Sequence, residues 1–194
     1  LRKPVRKHIT YGGHRIVEAS DIHCAHFTML PVIFKRNGVV IPDQELLRFI
    51  DLTQKKDLYA EIAQCADGFG RDDIKPVMQP FFSIKDEGQF LFDAERGRHI
   101  VLDFFKHNYP HILQGLLDWH DRFPGVSIKS VANKVESDIM NPICDRLRNI
   151  GLHPFRIHDA IYLPEDETCK VDFDINKAVF DYINRNGTAS SPLC

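Results

Sequence analysis

The segment that most constrains the fold of this chain is "FRIHDAIYLP" (155–164), an apolar run with a His and an Asp at its centre. Aromatic, β-branched and aliphatic residues in such a short run are typical of a largely buried strand. A carboxylate buried there without a partner would cost considerable free energy. The two demands are compatible if His158 and Asp159 form a turn. We therefore predict a tight hairpin, or one bent strand, closed by Pro164.

Other segments predict the elements around this hairpin. "HRIVEASDI" (14–22) has the composition of a strand that ends near Asp21. The longest amphipathic stretch, 127–151, predicts a helix with Ser127 as N-cap and Gly151 as its stop. Helical spacing also occurs at 25–36, 42–52, 57–66, 90–108, 110–122 and 172–186.

The stretch 71–83 is ambiguous, because it looks helical but contains Pro76 and Pro80. Proline lacks an amide hydrogen and clashes with the preceding turn, so we predict that this stretch does not form a regular helix. The order of strand, helices, long helix, strand pair and helix predicts an α/β or α+β chain.

Composition limits the class of protein. The 194 residues suffice for one domain, or one domain with an appended subdomain, and 43% of them are hydrophobic. A formal net charge of -2 does not by itself indicate a nucleic-acid partner, although the first residues, "LRKPVRKH", are basic.

The five cysteines are odd in number and lack CxxC spacing, which favours reduced thiols in a cytoplasmic protein. No apolar run approaches the length of a membrane span, so no membrane partner is expected.

Two acids stand at predicted strand ends, Asp21 and Asp159. Either alone is typical of a helix cap or a turn. Together on neighbouring strands they would repel each other unless a divalent cation lay between them. Mg²⁺ prefers oxygen ligands, commonly one or two carboxylates with substrate phosphates. A pair of such ions can stabilise the attacking and leaving oxygens of a phosphoryl displacement.

Arg71 and Lys75 are four residues apart in "RDDIK", so on a helix they would share a face. One interpretation is a solvated pair of cations that contact Asp72, Asp73 or Glu61. The other is a binding site for nucleotide phosphates, in which Arg binds bidentately and Lys acts as a point charge.

In order and spacing, these motifs resemble the polymerase core of family-A DNA polymerases, especially divergent forms from phages and mobile elements. "VEASDIHCAHFTML" resembles the palm strand with a metal-binding Asp, and "RDDIK" resembles the Arg/Lys motif of the fingers helix. "ANKVESDIMNPICDRLRNIG", with Glu136, is similar to the long palm helix, and "IHDAIYLP" to the His-Asp turn. The resemblance spans residues 12 to 185.

The resemblance implies an α+β fold with a small antiparallel palm sheet backed by long helices and a mostly helical fingers subdomain. The implied divisions are a basic N-terminal segment (1–11), a first palm segment (12–66), a fingers-like helical segment (67–125), a second palm segment (126–186) and a flexible tail (187–194). Thumb and exonuclease regions would lie upstream in the same polypeptide.

The resemblance also implies roles for individual residues in a DNA polymerase that acts on a DNA primer-template and dNTPs. Asp21, Asp159 and the carbonyl of Ile22 would hold two Mg²⁺ ions, for which Mn²⁺ could substitute. Arg71 and Lys75 would bind the triphosphate, and Lys75 could protonate the leaving pyrophosphate.

Three further side chains would contact the substrates. His26 falls where the family places the residue that senses the sugar 2′ position, and a His in place of the usual Glu leaves deoxy or ribo selection open. His158 would contact the primer end or brace the turn. Glu136 is the counterpart of the acidic residue of the palm helix.

Other functions remain open at this point. Ala160 stands where many family members have a second acid, which motivates a catalytically silent palm-like module that binds nucleic acid or a replication partner. A domain similar to single-subunit RNA polymerases and a two-metal nuclease would use the same acids. A zinc site at His23, Cys24 and His26 is disfavoured because no distal ligand pair accompanies them. Trp119 is interpreted as helix core.

Overall fold

A computed structural model of the chain describes residues 8–22, 24–92, 97–170 and 175–186. In these ranges, four strands form an antiparallel sheet in the order β1-β2-β4-β3. They are β1 (Thr10–Tyr11), β2 (His14–Asp21), β3 (Phe155–Ile157) and β4 (Ala160–Pro164). Antiparallel strands among many helices confirm the α+β class.

Apart from the helix at Arg71–Phe81, the helices follow the predicted segments, although the segment 90–108 contains the end of one helix and the whole of the next instead of a single helix. Before the long helix they are α1 (Ala25–Arg36), α2 (Asp43–Lys55), α3 (Leu58–Ala63), α4 (Arg71–Phe81), α5 (Glu87–Phe92), α6 (Arg98–Asn108), α7 (Pro110–Leu117) and α8 (Trp119–Arg122). The long helix is α9 (Ile128–Asn149), and α10 (Ile175–Asn186) comes last. A 3₁₀ turn lies at Thr168–Lys170.

The apolar run at 155–164 forms a tight hairpin, as predicted. Ile157 of β3 pairs with Ala160 of β4, which leaves His158 and Asp159 as a two-residue turn. β2 pairs with the other edge of β4, and Asp21 lies opposite Ala160 at the end of that ladder. The sheet therefore brings the end of β2 next to the His-Asp turn.

Alternate residues of β4 pack in two different apolar clusters, because successive side chains of a strand point to opposite faces of the sheet. Ile161 and Leu163 belong to the main core, which the helices share. Ala160 and Tyr162 pack with Ile16 in a smaller cluster on the sheet. With both faces occupied, β4 is buried along its whole length and can hold the turn in a fixed position.

The main core lies between α1, α9 and the helices of the middle of the chain. α1 packs against α9, and Leu30 at its centre is fully buried. An aromatic cluster joins α1 to the middle helices, with Phe81 and Phe105 ring centroids 4.6 Å apart. Trp119 is a core residue, as predicted, and its indole N–H donates to the Val126 carbonyl.

The prediction that 71–83 does not form a regular helix was wrong, because α4 runs from Arg71 to Phe81 with Pro76 and Pro80 inside it. Each proline removes one backbone hydrogen bond. Four side chains of α4 are fully buried and offset this loss: Ile74, Val77, Met78 and Phe81. Pro76 lies on the exposed side, where water can hydrate the carbonyls that lack a donor. Tertiary packing here outweighs local propensity.

The long helix α9 runs unbroken through Pro142, and both of its ends lie close to the predicted positions. Ser127 is the N-cap residue, but its side chain makes no capping hydrogen bond. Gly151 has a φ of 82°, and its N–H donates to the Arg148 carbonyl at 2.9 Å. The next N–H, of Leu152, donates to the Leu147 carbonyl at 3.0 Å, which completes a Schellman motif.

Some of the predictions concern residues outside the described ranges. They are the basic residues 1–7, His23, the Asp-rich start proposed for the last helix at 172–174, and the tail at 187–194. None of the described helices is long and apolar enough to cross a bilayer.

Candidate functional site

A cleft of about 1040 Å³ lies where the end of the sheet meets α1, α3, α4 and α9. It is lined by every residue predicted to act in the site: Asp21, Ile22, His26, Arg71, Lys75, Glu136, His158 and Asp159. These residues come from four separate stretches of sequence, so the fold brings together the predicted motifs. Their roles remain predictions.

A backbone hydrogen bond joins the chain segments that contain the two acids. The N–H of Ile22, directly after Asp21, donates to the carbonyl of Asp159 at 3.0 Å. His158 has a φ of 54°, and Cys24 has a φ of 47°. Left-handed backbone is uncommon for residues other than glycine and often occurs at functional sites. His158, directly before Asp159, and Cys24, three residues after Asp21, are therefore held in backbone conformations that an unconstrained chain would rarely adopt.

The donors at this position are hard oxygen ligands. Asp21 and Asp159 have carboxylates and Ile22 has a backbone carbonyl, and all three residues line the cleft. This set fits Mg²⁺, which keeps several positions for water and substrate phosphates instead of a cage of protein ligands. Within the described ranges, no group of three or more His, Cys, Asp or Glu side chains is arranged to hold a metal ion.

Arg71 is held by the first turn of α3. Its Nε donates to the Asp57 carboxylate, and its guanidinium lies 5.3 Å from the centre of the Tyr59 ring. A weaker contact joins Arg71 Nη1 to Asp72 at 3.7 Å. The sequence interpretation of a solvated pair anticipated the contact with Asp72 but not the one with Asp57. Arg71 therefore lines the cleft with an intramolecular carboxylate already bound to it.

Asp57 has two functions in this arrangement. As the N-cap of α3, its Oδ1 accepts hydrogen bonds from the N–H groups of Tyr59 at 3.0 Å and Ala60 at 3.3 Å. Burial opposes ionisation of Asp57, but the hydrogen bonds from Arg71 and from these backbone groups outweigh it and lower its pKa. The same contact with Asp57 raises the pKa of Arg71. Both side chains are therefore charged near neutral pH.

Lys75 lies one turn along α4 from Arg71 and is exposed to the cleft. Among the described residues it forms no ion pair. Two further lysines line the cleft but are paired: Lys55 contacts Asp51 at 2.5 Å, and Lys56 contacts Glu61 at 3.5 Å. Lys75 is thus the cation best placed to accept an anionic ligand without breaking an existing pair.

Glu136 is buried on α9 and bound to Arg156 of β3, with Arg156 Nη2 donating to Glu136 Oε1 at 2.7 Å. The same guanidinium donates to Ser137 Oγ at 3.2 Å, to Asn141 Oδ1 at 3.0 Å and to the His158 carbonyl at 3.1 Å. Arg156 therefore connects the long helix to the turn that carries Asp159.

His26 lines the cleft and has an aromatic partner. Its ring stacks on Phe82 at a centroid distance of 5.1 Å, and its Nε2 lies 3.4 Å from Asn133 Oδ1. The stacking fixes the imidazole between α1 and the end of α4. Phe82 is 1% exposed and does not line the cleft, so His26 is the member of this pair that a ligand in the cleft would contact.

Sequence reasoning missed four residues of the cleft that matter for its charge: Lys55, Lys56, Asp57 and Arg156. Asp57 precedes a short amphipathic helix, so its sequence position indicates an N-cap and does not indicate a contact with Arg71. Arg156 is a charged residue between two apolar residues of β3, Phe155 and Ile157. This position is the one local signal that could have identified it as a residue of the cleft. Its pairing with Glu136 depends on tertiary structure.

The chain was compared with protein-family models, with curated proteins and with solved structures, and none of them matches it.

Proposed function

We propose that this chain is the palm and fingers region of a DNA polymerase similar to family A, and that it catalyses template-directed nucleotidyl transfer. One observation carries the proposal: an acid at the end of β2, an acid in the β3–β4 turn and two cations from α4 line a single cleft. The order of the motifs along the sequence supports the same function. A DNA primer-template and dNTPs are the proposed substrates.

In this proposal the cations bind the triphosphate and the acids face the reacting phosphorus. Arg71 and Lys75 hold the phosphate chain, and the proton of Lys75 can pass to the pyrophosphate as it leaves. The primer 3′-hydroxyl loses its proton to water, and its oxygen forms a bond to the α-phosphorus while the bond from the α-phosphorus to the oxygen that bridges to the β-phosphate breaks and pyrophosphate leaves. His158 lies beside the primer end, and His26 borders the sugar.

Asp21, Asp159 and the Ile22 carbonyl would hold Mg²⁺ in this proposal. When bound, the metal would supply positive charge that stabilises the attacking and leaving oxygens of the displacement. Because Asp159 lies in the two-residue turn between β3 and β4, its backbone would already be restrained before a metal binds. Such preorganisation lowers the cost of assembling the site.

Primer extension in the presence of Mg²⁺ tests the proposal. Wild-type protein should extend a primer, whereas Asp21→Asn, Asp159→Asn and Lys75→Ala should each lose most of that activity. Asp145→Asn is the matched control, because Asp145 is an exposed acid on α9 outside the cleft, paired with Arg148. Equal extension by wild type, the two Asn variants and the control would contradict the proposed roles.

A catalytically silent module that binds nucleic acid is the second candidate. The residue directly opposite Asp21 in the sheet is Ala160, which is 3% exposed. Because it is an alanine, this position contributes no second acid. A silent module would bind DNA with strong salt dependence but would bind no Mn²⁺ at Asp21 and Asp159. Mn²⁺ titration of the wild type and of Asp159→Asn distinguishes the silent module from the polymerase.

A two-metal nuclease would be indicated by DNA cleavage that survives the Lys75→Ala substitution.

A further inference from the structure

Arg156 makes an unusual set of contacts for a residue in a strand of three residues. Its guanidinium donates four hydrogen bonds, three of them to side chains of α9 and one to the backbone of the His-Asp turn. The carboxylate that it pairs with, on Glu136, is only 7% exposed. A buried carboxylate with one strong partner holds that partner in place, because separating them would leave an uncompensated charge.

The contact with the turn is the informative one. Arg156 Nε donates to the carbonyl of His158 at 3.1 Å, and His158 is the residue with a φ of 54°. A backbone in this region persists only when its surroundings hold it there. The next residue is Asp159, whose own carbonyl accepts the Ile22 N–H. The Arg156 guanidinium thus fixes the peptide that leads directly to Asp159.

We infer that Arg156, held by Glu136, is a positioning residue that fixes the His158–Asp159 turn and thereby the direction of the Asp159 carboxylate. Glu136 then acts through Arg156 instead of contacting the substrate. An effect of Arg156 on metal binding rests on the proposed function, whereas its effect on the conformation of the turn is independent of that function.

The Arg156→Lys substitution tests this positioning role most directly. It keeps a positive charge for Glu136, but a lysine ammonium cannot reproduce the planar fork that reaches α9 and the His158 carbonyl together. Arg36→Lys is the matched control, because Arg36 is also a partly buried arginine that joins elements. It contacts Asp138 at 3.6 Å and donates to Tyr182 Oη at 2.6 Å, away from the cleft.

The first readout is amide hydrogen exchange at Ile22, measured by NMR on the full chain without metal. Loss of a charge-assisted hydrogen bond to the turn should reduce protection of the Ile22 N–H about tenfold in Arg156→Lys. Protection should stay at the wild-type value in Arg36→Lys. Unchanged protection in Arg156→Lys would overturn the inference, whether or not the protein binds metal.

The second readout is Mn²⁺ affinity, measured by electron paramagnetic resonance of the free ion. Mutation of residues that orient metal ligands typically lowers the affinity for the metal about 10- to 100-fold. Arg156→Lys should therefore bind Mn²⁺ at least about tenfold more weakly than wild type. If wild type binds Mn²⁺ and Arg156→Lys binds it equally well, the positioning of Asp159 by Arg156 is refuted while the proposed function stands. If wild type binds none but the Ile22 amide loses protection, the metal site fails and the role of Arg156 in the turn stands.

Discussion

Asp57 and a nucleotide phosphate should compete for the same guanidinium. Arg71 donates its Nε to Asp57, so in the proposed function an incoming triphosphate either displaces that carboxylate or shares the guanidinium with it. Asp57→Asn removes the competing charge. It should still cap α3, because Asn is among the most favoured N-cap residues and its side-chain oxygen can accept from Tyr59 and Ala60. The variant is therefore expected to fold and to bind nucleoside triphosphate more tightly.

The exposure of the pair sets the size of this gain. The side chains of Arg71 and Asp57 are 45% and 38% exposed, so solvent screens the pair. Exposed ion pairs contribute about 0.2–1 kcal/mol, which corresponds to an increase in affinity of about 1.4- to 5-fold once the competitor is removed. The gain should shrink as salt is raised, because screening weakens the pair in the wild type.

Calorimetric titration with a nucleoside triphosphate and Mg²⁺ at two salt concentrations measures this gain. Asp145→Asn is the control for loss of one negative charge, since Asp145 contacts Arg148 and does not line the cleft. Equal tightening in both variants would mean that only net charge matters. Weaker binding in Asp57→Asn would refute the competition and show that Asp57 orients Arg71 for the ligand.

Two further predictions concern stability. Gly151→Ala should destabilise the protein by about 1 kcal/mol in urea unfolding, because Gly151 has a φ of 82° in the Schellman motif that ends α9. Glu167 is buried, which opposes its ionisation, but the ring and N–H of His153 donate to it at 2.6 and 2.8 Å and lower its pKa below the ordinary value of 4.5. Its ionised form therefore stabilises the fold above pH 4.5, and this contribution is lost as pH falls through the folded pKa. Glu167→Gln should be less stable than wild type at pH 7, and the difference should narrow in acid, as measured by thermal unfolding across pH.

Features determined by local pattern were predictable from the sequence. The end of β2 at Asp21 and the turn at His158–Asp159 follow from polar residues that interrupt apolar runs. The end of α9 follows from Gly151, because only a residue that tolerates positive φ suits that position. In each case the deciding interaction lies within a few residues along the chain.

Features determined by distant contacts were not predictable in the same way. α4 forms despite Pro76 and Pro80 because its apolar face is buried against other helices. The partner of Arg71 lies 14 residues away, and that of Arg156 lies 20 residues away. A sequence pattern identifies an arginine as a candidate ligand for phosphate, but it does not reveal which carboxylate already binds it.

Internal pairing also sets the order in which the cleft can bind an anion. Arg71 and Arg156 are bound to Asp57 and Glu136, so a phosphate gains from either arginine only what exceeds the existing pair. Arg156 is 23% exposed and its guanidinium is occupied by α9 and the turn, which suits a fixed structural role. Lys75 forms no ion pair with a described residue, so a phosphate that binds it displaces no carboxylate of the described part of the chain. In the proposed function, Lys75 is therefore the first of these cations to contact a phosphate. Arg71 would follow as the phosphate competes with Asp57 for its guanidinium, so the Asp57–Arg71 pair would separate a loosely bound triphosphate from a fully bound one.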